Sequence, residues 1–180
     1  MLPQEAWIKV PPEHEKHFAR HFALTRRSEL TVMLLEAPLP PVQGPVRRLT
    51  PGEPLAPLLD LYSSYPGHFF EAASLEGNIY YVAERDGRPV SIAGTHTLAP
   101  AEGVAVLGNI VTAPDCRGEG LARRCVAAVA GELESLGCRL TGLHVDTTNA
   151  AAIACYRSLG FQAQTTLVQA WASPAGLPPV

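Results

Sequence analysis

Between residues 104 and 136 the sequence passes from a strand into a helix through a glycine turn. No other stretch restricts the fold as strongly. Val104–Thr112 is apolar at consecutive positions, which suits a central strand covered on both faces. Gly118–Leu136 carries Leu121, Cys125, Val129, Leu133 and Leu136 in i, i+4 register, so one helix face is continuously apolar. Gly137 stands where such a helix closes in the left-handed conformation. A buried strand followed by a helix that packs back on its sheet defines a layered α/β architecture. The flanks agree: Leu140–Asp146 reads as a strand, Asn149–Leu159 as a helix and Phe161–Ala172 as a long strand. Upstream, Asn78–Glu84 and Pro89–Leu98 flank Asp86-Gly87, a strong signal for a two-residue hairpin turn. The predicted fold is therefore α/β (α+β) with a mixed sheet, and no internal repeat is visible.

Proline sets the boundary within the chain. Seven of the 17 prolines fall between Pro38 and Pro57. Such a stretch lacks amide donors and fixes φ, so residues 38–45 read as a linker. Before it, Pro12–Thr25 places Phe18, Ala19 and Phe22 at helical spacing, and Glu29–Leu35 is β-prone. One helix and one strand bury too little to stand alone. Residues 1–44 are thus expected to be a helix–strand appendage that packs on residues 45–180 or on a second copy, which makes a homodimer one expectation. After the linker come a strand at Val46–Leu49 and a helix at Glu53–Tyr62 with Leu55, Leu58, Leu59 and Tyr62 inward. A short helix at Phe69–Leu75 follows.

Composition narrows the class of function. A chain of 180 residues with 47% apolar and 17% charged residues can bury an ordinary core. A net charge of −3 gives no basic field for nucleic acid or anionic lipid, so neither partner is expected. No apolar run approaches the roughly 20 residues of a spanning helix. The charges from Glu5 to His17 argue against a secretory leader, and a cytoplasmic location is expected. The cysteines at 116, 125, 138 and 155 form no Cys-x-x-Cys pair and read as small buried thiols in a reducing compartment. His17 and His21 stand four apart beside Glu13, an arrangement read as a solvated helix face, and no metal is expected.

One segment carries chemistry: Thr112-Ala-Pro-Asp-Cys-Arg-Gly-Glu-Gly-Leu-Ala122. Gly118 and Gly120 let successive amides turn into one concavity. The helix opening there adds unpaired N–H groups and the positive end of its dipole. Arg117 adds a fixed cation with a planar fork of donors. Together they make a cradle for a pyrophosphate. The segment has neither Gly-x-Gly-x-x-Gly nor Gly-Lys-Ser/Thr, so it fits neither a dinucleotide fold nor a nucleotide triphosphatase.

Arg117-Gly-Glu-Gly-Leu-Ala122, preceded by Asn109-Ile-Val-Thr-Ala-Pro114, resembles the Arg/Gln-x-x-Gly-x-Gly/Ala signature of the GNAT superfamily of acyl-CoA-dependent N-acetyltransferases. Asn149-Ala-Ala-Ala-Ile-Ala-Cys-Tyr-Arg-Ser-Leu-Gly-Phe161 resembles the second motif of that family, in the right order. The likeness spans roughly residues 45–172, and residues 1–44 suggest the remnant of a preceding half-domain. The resemblance implies a GNAT-like, mostly antiparallel sheet with a splayed parallel pair, here Val104–Thr112 and Leu140–Asp146, and flanking helices. It implies acetyl-CoA as co-substrate, its pantetheine arm along Ile110 and Thr112 and its diphosphate on Arg117, Gly118, Glu119, Gly120, Leu121 and Ala122. The amide of Ile110 or Val111 would polarise the thioester carbonyl. Tyr156 would give a proton to the departing thiolate. Asn149 would cap its helix or touch the pantetheine.

The resemblance further implies a base for the acceptor ammonium. Many relatives place a glutamate on the central strand, where this sequence has Asn109. The candidates here are Glu71, His96, His144 and Asp146, with a water chain to solvent as the alternative. Tyr65, Phe69 and Phe70, beside Glu71, suggest an aromatic wall for a small amine or an amino-acid derivative. The expected activity is acetyl transfer to such an amine by direct attack in a ternary complex. The alternative is a non-catalytic acyl-CoA-binding sensor.

Overall fold

A computed structural model describes residues 5–65 and 70–175. In chain order the elements are β1 (Ala6–Val10), α1 (Pro12–Phe18), β2 (Phe22–Leu35), β3 (Arg47–Arg48), α2 (Leu55–Ser63), α3 (Ser74–Gly77), β4 (Tyr80–Arg85) and β5 (Arg88–Ala99). They continue with β6 (Val104–Thr112), α4 (Leu121–Ser135), β7 (Leu140–Asp146), α5 (Ala150–Arg157) and β8 (Phe161–Pro174). The fold class is the expected one: mixed α/β, with mostly antiparallel strands, one parallel pair and flanking helices. The described residues divide into two compact units, one of residues 34–65, 70–143 and 154–162, the other of residues 5–33, 144–153 and 163–175.

In the larger unit the strand order is β7-β6-β5-β4-β3. The β4–β5 hairpin turns at Asp86 and Gly87, both at positive φ, as its dipeptide predicts. Strand β6 lies inside the sheet, antiparallel to β5 and parallel to β7 from Val104↔Leu140 to Leu107↔Leu143. Helix α4 packs against β4, β5 and β6, and α2 against β5 and β6. With helices over it, β5 is buried at every position from Pro89 to Thr95. Leu121, Cys125, Val129 and Leu133 of α4 are all buried, whereas Leu136 lies just past the helix and is 45% exposed.

In the smaller unit β1 pairs antiparallel with β8, Ala6 opposite Ala172 and Val10 opposite Val168. Trp7 and Trp171 face each other in the same ladder, edge to face with centroids 5.6 Å apart.

Several elements differ from the sequence reading. The helix expected over Pro12–Thr25 ends at Phe18, where the His21 amide turns back to the Phe18 carbonyl. It buries no residue, so nothing favours its extension, and the chain enters β2 at Phe22 instead. Helix α2 buries Leu58, Leu61 and Tyr62, leaving Leu55 half-buried and Leu59 exposed. Its leucines fit either of two faces, and the buried Tyr62 hydroxyl, which needs an acceptor, selects one. The short helix expected at Phe69–Leu75 lies later, at Ser74–Gly77, and Phe69 falls outside the described residues. Among the described residues no helix is long and apolar enough to cross a membrane.

Candidate active site

The site is built on an irregularity in β6. Ile92 pairs with Val111 but Gly94 with Gly108, so Asn109 and Ile110 together oppose Ala93. A second irregularity, between Thr95↔Leu107 and Thr97↔Val106, places the extra residue on β5 and restores the register. Paired bulges of this kind re-aim backbone and side chains without shifting the rest of a sheet. Asn109 holds the first one open at φ 52. That conformation costs about 1–2 kcal/mol for an ordinary residue and is most accessible to Asn, Asp and Gly. Here it is over-determined. The Tyr62 hydroxyl donates to the Asn109 carbonyl at 2.7 Å, and Asn109 Nδ2 donates to the Tyr80 hydroxyl at 2.8 Å. Phe70 stacks on Tyr62 at 4.7 Å and meets Tyr80 edge-on at 5.4 Å. Burial raises both phenol pKa values above the ordinary one, so each hydroxyl keeps its proton.

Past the bulge, β6 runs into the cradle. Buried Ser91 donates to the Val111 carbonyl at 3.1 Å and shares a 2.8 Å hydrogen bond with Thr112 Oγ1, fixing the strand end. A tight turn at Pro114–Cys116 leads to Gly118 at φ 83 and Gly120 at φ 74. Gly120 is the N-cap of α4, and no side chain caps that end. A Cβ added at Gly118 or Gly120 would meet no atom within 4 Å, so the approach to these amides is open. Arg117 is exposed and donates weakly to the Thr112 carbonyl at 3.4 Å. Among the described residues it forms no ion pair. An open helix N-terminus beside an uncommitted guanidinium suits a diphosphate. Glu119 is tied to Arg85, which also reaches Cys116 Sγ at 3.5 Å, so the hairpin end braces the cradle. Leu121 is buried and Ala122 half-buried.

Tyr156 is the one buried residue of α5, its ring edge-on to Phe161 with centroids 6.2 Å apart. Burial, then the neighbouring Cys155 and Tyr65, raise its pKa above the ordinary phenol value. Its hydroxyl makes no hydrogen bond to another described residue, and the raised pKa keeps it protonated and able to donate one. Asn149 belongs to the smaller unit and caps α5, its Oδ1 accepting from the Ala152 amide at 3.1 Å. That bond caps the helix and does not bear on a contact with pantetheine.

The base candidates fare differently. Asp146 accepts from the amide and hydroxyl of Thr148, forming the turn into α5. His144 Nδ1 lies 3.5 Å from Lys9 Nζ, whose pKa burial lowers. The exposed His96 lies at the β5 bulge with its ring against Gly108, next to Asn109. Glu71 is exposed. Phe70, expected to wall an acceptor pocket, is 4% exposed and belongs to the core under the bulge, while Tyr65 is exposed. Cys116, Cys125 and Cys138 are buried, Cys155 is partly so, and all four are free. Burial pushes the Cys125 thiol up to about 11, which makes it a poor nucleophile at neutral pH. No His, Cys, Asp or Glu cluster among the described residues is arranged to hold a metal ion.

The sequence places Tyr62 inward, as observed, but assigns no part in the site to Tyr62, Tyr80, Ser91 or Arg85. The signal for the first two was Gly108-Asn109, a pair that breaks an otherwise apolar strand and so marks a bulge needing polar partners.

Comparison with known proteins agrees with this geometry. Residues 46–161 match the model of the acetyltransferase (GNAT) family. The [ribosomal protein bS18]-alanine N-acetyltransferase of Escherichia coli is 44% identical over 61 residues, which are 34% of this chain and 41% of that one. The mycothiol acetyltransferase of Thermobispora bispora is 37% identical over 86 residues, 46% of this chain and 29% of its own. The chain thus spans less than half the length of these curated relatives. A solved GNAT-family structure from Novosphingobium aromaticivorans superposes with a TM-score of 0.77 at 24% identity, covering 97% of this chain and 77% of that one. An open, uncapped helix N-terminus behind a bulged central strand, a matching family model over residues 46–161 and shared folds together establish that the chain belongs to the GNAT acetyltransferase family.

Proposed function

We propose that this protein moves an acetyl group from acetyl-CoA to an amine of a small molecule or an amino-acid derivative, by direct attack within a ternary complex. The observation that carries the reading is the α4 N-terminus, opened by Gly118 and Gly120 with clear space before both. Acetyl-CoA supplies an activated thioester. The amides from Gly118 to Ala122 and the Arg117 guanidinium hold its diphosphate, and Ile110 and Thr112 line its pantetheine arm. The Ile110 N–H, placed at the bulge, donates to the carbonyl oxygen as negative charge develops there. Tyr156, kept neutral by its raised pKa, donates a hydrogen bond to the leaving thiolate, which then takes its proton from solvent. The acceptor loses its ammonium proton to solvent water or a nearby base before attack. Four free cysteines suit a reducing, cytoplasmic setting.

Calorimetry with coenzyme A is expected to show binding. Thiol release is then followed with a panel of small primary amines, amino-acid amides and a peptide presenting an alanine amine, the last because one relative is named for alanine acetylation. Acceptor-dependent thiol release supports transfer. Binding with no release across the panel favours a sensor, and absence of binding by folded protein removes the site.

A further inference from the structure

We infer that Tyr62 is a positioning residue for acyl transfer, acting through the peptide that joins Asn109 to Ile110; the inference rests on the reading of the Ile110 N–H as the donor to the thioester carbonyl. The carbonyl that accepts the Tyr62 hydroxyl and the N–H of Ile110 belong to one planar trans amide. In such a plane the two groups point in opposite directions. A hydroxyl clamped 2.7 Å from the oxygen therefore fixes where the N–H is aimed. It also draws electron density toward the oxygen, which makes the N–H a better donor.

The surroundings hold this arrangement rigid. Arg26, Asp86 and Asn109 are the described non-glycine residues at positive φ. Asp86 lies in a hairpin turn and Arg26 is exposed, but Asn109 is 6% exposed and anchored at both its carbonyl and its side chain. Turning its peptide breaks the Tyr62 contact, and turning its side chain breaks the Tyr80 contact. Tyr62 cannot drift either, because it is fully buried and stacked on Phe70. Asn109 and Ile110 together oppose Ala93 at the bulge, and the Tyr62 hydroxyl holds the carbonyl between them.

The test needs no acceptor. A non-cleavable ketone analogue of acetyl-CoA, with a methylene between sulfur and a 13C-labelled carbonyl, is bound to the parent protein and to Tyr62→Phe, which keeps the ring and loses the donor. In the parent the bound carbonyl resonance is expected to move downfield. In Tyr62→Phe it should lose roughly 10–30% of that displacement through lost polarisation alone, and more where the peptide turns. Affinity by calorimetry should change little. A packing role would lower thermal stability while leaving the resonance where it is, and that result overturns the inference. If Tyr62→Phe does not fold, Asn109→Ala is compared with Asn109→Gly, since glycine adopts the left-handed φ freely. The glycine variant should retain more of the displacement, and identical resonances in both variants and the parent also overturn it. A parent that binds the analogue without any downfield movement sinks the Ile110 reading itself, a separate outcome.

Discussion

Single residues decide the chemistry, and two of them make sharp tests. Tyr156 is buried, yet its hydroxyl makes no hydrogen bond to another described residue, so Tyr156→Phe removes the proposed hydrogen-bond donor with almost no change in packing. Turnover is expected to fall by about 10²-fold or more, with acetyl-CoA affinity unchanged within error. Equal losses in turnover and affinity would make it a packing residue. Gly120 is the opposite case. At φ 74 it holds a conformation that a β-branched residue resists, and it leaves open the space in front of the amides. Gly120→Val should weaken coenzyme A binding at least tenfold, a loss of about 1.4 kcal/mol, in a protein whose circular dichroism is unchanged. Unaltered calorimetric affinity would move the diphosphate elsewhere.

At the scale of elements, what the sequence disclosed followed from periodicity, and what it withheld followed from pairing. Strands β6 and β7 are legible to the residue because their apolar runs are bounded by turn signals on both sides. Helix α4 is legible because Leu121, Cys125, Val129 and Leu133 recur at every fourth position, although its start lies at Leu121, once the glycines have turned the chain. The α1–β2 boundary was not legible. Phe18 and Phe22 sit at helical spacing, but strand pairing claims Phe22. The bulges were hidden for a related reason: register is a property of two strands, and neither strand alone reveals it. The aromatic clamp below β6 depends on Gly94, where an added Cβ would lie 2.2 Å from the Tyr80 ring. Gly94→Ala should therefore cost about 1–3 kcal/mol of stability, read as a lowered denaturation midpoint. A variant as stable as the parent would mean that Tyr80 moves aside freely.

Across the whole molecule, the three buried tyrosines among the four with raised pKa values are expected to make alkaline pH destabilising. Tyr62, Tyr80 and Tyr156 are held neutral chiefly by burial. In the unfolded chain they ionise near pH 10. Their contribution to stability is complete below that value, and it is lost as pH rises from there toward the higher folded-state values. Absorbance at 295 nm should show these phenols ionising together with loss of tertiary circular dichroism above about pH 10. Smooth titration of all five tyrosines in a still-folded protein would contradict that burial. The ladder between β1 and β8 bears on biogenesis as well. At about 5–20 residues per second, β1 leaves the ribosome on the order of ten seconds before its mate is made. For that interval Trp7 travels on a solitary edge, open to strangers, so slower growth or a holdase that shelters nascent chains should raise the yield of correctly assembled protein.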